Sequence, residues 1–147
     1  MTNDKWDDRF IKLAEHISTW SKDPSTKTGA VIVDVDNRVV SVGYNGLPKG
    51  VEDTADRLDN REQKYKMVVH CEVNAVLFAR SSLAGCRLYT WPFMSCSRCA
   101  AVVIQSGIKE VIAPALTHPR WEEECRLAQE MFAEAAVVVR EARGYQK

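Results

Sequence analysis

The sequence has no charge imbalance: 20 Lys and Arg face 20 Asp and Glu, for a formal net charge of zero. A chain that tracks a nucleic-acid backbone usually carries a basic excess or a dense basic stripe, so a small-molecule ligand is expected instead, with no nucleic-acid partner. There is also no apolar run near the roughly 18 residues that indicate a membrane span. The start, MTNDKWDDRF, is polar and acidic and unlike a signal peptide. A cytoplasmic protein with no membrane partner is therefore expected. No internal repeat, low-complexity tract or linker interrupts the 147 residues, which at 46% hydrophobic suffice for one domain, 1–147, with a sizeable core.

A paired set of cysteines is missing too. The five present, at 71, 86, 96, 99 and 125, make an odd number. Without a secretory signal, that disfavours disulfides and favours metal or catalytic use of some of them. Cys86 and Cys125 have no partner in the pattern and read as small buried hydrophobes.

What is present has clear periodicity. Trp6, Phe10, Leu13, Ile17 and Trp20 form one apolar stripe on a first helix over 4–21, broken by Pro24 and Gly29. AVIVDV and RVVSVGY are β-branched runs around Asp36-Asn37 and predict a hairpin. The polar stretch from 45 to 66 is too long for an ordinary connection, so it is functional or partly helical. Helices at 70–81, 97–106 and 120–134 then alternate with strands at 87–91, 110–114 and 136–140. Such alternation implies parallel pairing with helical crossovers, hence a five-stranded mixed sheet between helices in an α/β fold.

The chemistry concentrates in two short segments. CSRC, at 96–99, is a Cys-x-x-Cys pair at a predicted helix start, with both sulfurs on one face near N–H groups that favour thiolates. A second such pair would close a four-cysteine site, but none exists. The sequence offers His70 instead, at another predicted helix start. Three protein ligands leave one tetrahedral zinc position open for water, the pattern of a catalytic site, and zinc brings that water's pKa to around 7. Glu72 supplies the carboxylate needed to move protons. Residues i and i+2 diverge within a helix, so His70 and Glu72 must lie where the helix begins. Taken singly, His70 reads as a packed histidine and Glu72 as a solvated carboxylate. His-x-Glu, 23 residues, then Cys-x-x-Cys, is a far more specific pattern.

This pattern resembles the zinc-dependent nucleoside and nucleotide deaminases, whose signature runs His-x-Glu, then Pro-Cys-x-x-Cys. SKDPSTKTGAVIV, GYNGLPKG, KYKMVVHCEVNAV, CSRCA and VIQSGIKEVIAP narrow the resemblance to the deoxycytidylate (dCMP) deaminase family over essentially the whole chain. The resemblance implies a three-layer αβα cytidine-deaminase-like fold. It also implies hydrolytic deamination of dCMP to dUMP and ammonia, feeding dTMP synthesis, or of dCTP if the phosphate pocket allows it. The metal would be one Zn2+ per subunit on His70, Cys96 and Cys99, with Glu72 as proton shuttle. Asn45 is placed on the sugar hydroxyl, or alternatively in a turn beside Gly46; Ser21 and Lys22 are placed toward the phosphate, with Lys22 equally a solvated surface lysine. Tyr65 and Lys66 face the nucleotide or pack, and Trp91 or Phe93 stacks on the base or belongs to the core.

The family is typically hexameric, activated by dCTP and inhibited by dTTP. Effector residues are accordingly expected at Gly43, Tyr44, Gly46 and Lys49, with Mg2+ accompanying a bound triphosphate. A tRNA adenosine deaminase and a non-catalytic zinc module share parts of the pattern; SKDP and GYNG speak against the first, and Glu72 against the second. Two positions depart from the family. Ser95 replaces the usual Pro and is expected to cap the helix at 97. Cys71 stands where Ala is common and is expected to pack away from the metal. His16 is expected to be structural, and His118 lies in a loop.

Overall fold

A computed structural model describes residues 4–142 and Gly144. Five strands form one sheet in the order β2-β1-β3-β4-β5. β1 (Gly29–Val33) and β2 (Val39–Tyr44) are the expected hairpin, with Asn37 at its turn in the left-handed region (φ 63°). β1 also pairs antiparallel with β3 (Arg87–Trp91), while β3, β4 (Glu110–Ala113) and β5 (Val138–Glu141) run parallel. The sheet is mixed, as expected.

α1 (Lys5–Ser18) lies on one face of the sheet. α4 (Cys71–Phe78), α5 (Ser97–Gln105) and α6 (Glu122–Glu134) contribute to the core on the other, giving three layers. The alternation of β1 divides the core: Ala30 and Ile32 face one set of helices, Val31 and Val33 face α1. Two glycines set how closely helices approach. A Cβ on Gly29 would lie 2.1 Å from the Ala14 carbonyl of α1, and one on Gly43 would lie 2.5 Å from both Cys71 O and Ala75 N of α4. Neither position has room for a side chain, so the start of α4 is seated directly on β2.

Several boundaries shift for local reasons. α1 ends at Ser18, not residue 21, because the next N–H groups fold back to carbonyls three residues earlier; Trp20 lies beyond the helix, about half exposed. The stretch 45–66 is partly helical, holding α2 (Ala55–Asp59) and α3 (Arg61–Met67), capped by Thr54 and Asn60. Residues Pro119–Trp121 make a tight 3-10 turn before α6, and Ala136 in the left-handed region (φ 61°) delays β5 to Val138.

Asp7 starts on the helix face that periodicity leaves polar, yet it is buried. Its carboxylate accepts from Arg140 of β5 at 2.8 and 3.0 Å and from the Tyr89 hydroxyl of β3 at 2.7 Å, and Arg140 also meets Glu110 of β4. This network ties α1 to three strands. Burial opposes the charge on Asp7, but the bonds from Arg140 and Tyr89 outweigh it and hold the carboxyl below its ordinary range. Its stabilising contribution is therefore complete above the unfolded value of about 3.9 and is lost as pH falls through the lower folded value. Asp7→Ala is expected to reduce unfolding free energy by about 2 kcal/mol, because it takes the buried acceptor from the Tyr89 hydroxyl and one of the two carboxylate partners from Arg140, which keeps Glu110. Urea denaturation at neutral pH checks this, and the difference from the unaltered protein should narrow below about pH 4.

Candidate active site and metal centre

The carboxyl ends of β3 and β4 point the same way, and antiparallel β1 brings its first residue, Gly29, to the same edge opposite Trp91 and Tyr44. Crevices at the carboxyl ends of parallel strands are where α/β sheets commonly place ligands. Here the loop after β3 leads into α5, and the segment before α4 is held by a two-way bridge between Gly46 and Val69, at 3.1 and 2.8 Å. Both helices consequently begin at this edge.

His70 is the N-cap of α4 and Cys96 the N-cap of α5, each with extended backbone. Neither side chain caps its own helix. They turn instead toward each other and Cys99: His70 Nδ1 lies 2.9 Å from Cys99 Sγ and 3.6 Å from Cys96 Sγ, and the two sulfurs are 3.6 Å apart. All three ligand atoms lie within 4.8 Å of one another, and among the described residues no other trio of His, Cys, Asp or Glu does so. One imidazole and two sulfurs, uncommitted elsewhere, suit a borderline-soft tetrahedral ion. The Cys99 thiol, with help from His70, holds Cys96 down to about 4 despite burial. The bond to Cys96 raises His70 and Cys99 above their ordinary values.

Glu72 is the second residue of α4, two after His70, and is buried (6% exposed). The non-helical N-cap lets both side chains reach the same space, as the i, i+2 spacing required. Glu72 stays outside the trio while bordering the cavity beside it. That cavity, of about 210 Å³, is bounded by the trio's His70 and Cys96 at one end and by Asp23, Ser25, Asn45 and Lys64 elsewhere on its wall.

The other expected site residues divide between inside and outside. Asn45 borders the cavity, but its amide is engaged with the neighbouring loop: Oδ1 accepts from Thr28 N at 2.9 Å, and Nδ2 donates to Thr26 O at 2.9 Å. Tyr65 borders it too, edge-on to Trp121. Phe93 also borders it; Trp91 packs on the α1 side of the sheet. Ser21 is buried behind the wall, donating to the Asn45 carbonyl at 2.9 Å, and Lys22 reaches outward to Asp53 at 3.1 Å. Gly43 is closed against α4, Tyr44 packs edge-on against Trp20, and Lys49 lies over Phe78. Neither these residues nor Gly46 borders the cavity. His118 packs among Phe93 and Trp121 and accepts from Arg120 N, and His16 sits against Trp20.

Ser95 does not cap α5. Cys96 holds the N-cap position, and Ser95 is buried with its hydroxyl lacking a hydrogen-bond partner among the described residues. The sequence reading also missed Lys64 and Asp23. Their ion pair (3.0 Å, side chains 5% and 8% exposed) crosses 41 positions, and Ser25 Oγ lies 2.9 Å from the same ammonium. Asp23 sits within SKDP, but a lysine on a short polar helix carries no sign that it is buried.

The fold matches a known class. A structure of the dCMP deaminase from cyanophage S-TIM5, in complex with dCMP and dUMP, superposes with a TM-score of 0.75 over 98% of this chain and 100% of the phage chain, at 22% identity. The family model for the cytidine and deoxycytidylate deaminase zinc-binding region matches residues 4–115, and the chain belongs to this family. It is 49% identical over 138 residues to an uncharacterized deaminase in the luxG 3' region of Aliivibrio fischeri, covering 92% of each chain. It is 40% identical over 116 residues to the deoxycytidylate deaminase of Mus musculus, covering 74% of this chain and 64% of the mouse protein. The chain thus spans just under two thirds of the mouse relative.

Metal analysis of purified variants tests the trio. His70→Ala, Cys96→Ser and Cys99→Ser should each lower bound zinc from about one ion per chain to under roughly a tenth, since each removes one of only three protein ligands. Cys71→Ala should keep its zinc; loss of zinc in that variant would make Cys71 a ligand.

Proposed function

We propose that the chain is a deoxycytidylate deaminase, converting dCMP and water to dUMP and ammonia. The observation that carries this is the placing of Glu72: buried, beside the His70, Cys96 and Cys99 trio but not part of it, and bordering the same cavity. A closed structural site has no use for such a carboxylate. The substrate reading is further supported by the mouse relative's name and by the family to which the chain belongs.

His70, Cys96 and Cys99 would hold zinc, which when bound supplies the Lewis acidity that makes water nucleophilic near neutral pH. Glu72 does the proton work. It accepts a proton from the attacking water and passes it to N3 of the cytosine, then carries the remaining proton from the new C4 hydroxyl to the amino group, which departs as ammonia. Its burial keeps bulk water from competing for these transfers. Asn45 and Tyr65 are assigned to the nucleotide from the cavity wall, with Phe93 as the aromatic against the base. Ser21 and Lys22 are assigned to the phosphate end of the site, Ser21 by fixing the backbone of Asn45.

We extend the proposal to control by dCTP and dTTP, a hexameric assembly, Mg2+ on a bound triphosphate, and a cytoplasmic role in supplying dTMP synthesis. GYNGLPKG supports the effector reading: Gly43, Tyr44, Gly46 and Lys49 lie outside the cavity, leaving it for substrate. Among the described residues no helix is long and apolar enough to cross a membrane.

Ammonia release from dCMP, dCTP, CMP and deoxycytidine, each with and without dCTP or dTTP, tests these assignments together. dCMP should be the best substrate. Glu72→Ala should keep zinc and lose about a thousandfold in turnover. Inertness of every cytosine substrate with zinc bound, or near-normal turnover by zinc-loaded Glu72→Ala, would contradict the function.

A further inference from the structure

Cys71, between the proposed zinc ligand and the proposed proton shuttle, does more than fill space. Its side chain belongs neither to the trio nor to solvent: it is 2% exposed, and its Sγ lies 3.0 Å from Glu72 Oε1, donating to it. The sulfur also meets the Thr28 side chain, and the Thr28 amide donates to Asn45 Oδ1 at 2.9 Å.

The backbone beneath is equally fixed. The Cys71 carbonyl lies where a Cβ on Gly43 would approach to 2.5 Å, so α4 packs on β2 at backbone distance here. Asn74, one turn later, donates to the Tyr44 carbonyl at 2.8 Å and pins the same helix again.

We propose that Cys71 is a positioning residue for Glu72, its S–H holding one carboxylate oxygen so that the other is presented to substrate. The proposal rests on the reading of Glu72 as the proton shuttle. A carboxylate that must receive a proton from one atom and deliver it to another is effective only when its orientation is set before substrate arrives. A thiol is a weak donor, but beside a buried carboxylate even a weak bond selects one rotamer over others. Thr28, Asn45 and Gly43 act behind it.

Steady-state kinetics of zinc-loaded Cys71→Ala, Cys71→Val and Cys71→Ser on the best cytosine nucleotide separate this from a packing role. Alanine removes donor and volume, valine restores volume alone, and serine restores a donor in a smaller side chain. The expected result is a loss of roughly tenfold in kcat for alanine and valine, with KM within about twofold, and serine within about threefold of the unaltered enzyme. Zinc content and thermal midpoint, measured for all three, should not track kcat. Unaltered kcat in Cys71→Ala, or a valine variant that works while serine fails, would overturn the inference and leave the deaminase reading standing. An unaltered enzyme inert on every cytosine nucleotide would bring down both.

Discussion

The site depends on two helix starts meeting at one sheet edge. His70 and Cys96 occupy N-cap positions, and neither spends its side chain on the first N–H groups of its own helix. Those N–H groups therefore keep their positive potential directed at the place where Cys99, one turn into α5, adds the second sulfur. Thiolates are favoured there for the same reason that anions are favoured at helix N-termini generally. A metal held by this trio would join α4 to α5, so holding the ion and holding the two helices together are the same act.

Everything around the trio serves to bring those helix starts to that edge. Gly43 lets α4 lie against β2 at backbone distance, and the bridge between Gly46 and Val69 fixes the residue just before His70. Asn45, engaged at both ends of its amide, shapes the loop before β1 while bordering the cavity. The buried Lys64 and Asp23 pair braces the same loop from α3. On the far face, the Asp7–Arg140 network holds α1 over the sheet, well away from the chemistry. The trio and the Asp7 network therefore lie on opposite faces of the sheet.

Much of this was legible in the sequence because its signals are local. Period-two runs marked the strands, and His-x-Glu with Cys-x-x-Cys marked the trio and its carboxylate. The i, i+2 spacing even required that His70 sit outside the regular helix, as it does. What stayed hidden depends on contacts between distant residues. Nothing in a polar run shows that Lys64 is buried against a carboxylate 41 positions earlier, or that Trp121 closes on Tyr65 and Phe93. Nor does any local signal show that Asp7, 133 positions before Arg140, is buried against it. Cys71 packs away from the trio, as its replacement of a small Ala suggested, but nothing local shows that its sulfur lies against the Glu72 carboxylate.

The central claim is an ion held by one nitrogen and two sulfurs, with a fourth position left open. X-ray absorption at the zinc edge of the purified protein measures this directly. Two sulfur scatterers near about 2.3 Å and two lighter ones near about 2.0–2.1 Å are predicted, the lighter pair being His70 and a non-protein oxygen. A third sulfur, such as that of Cys71, would close the site and contradict the account.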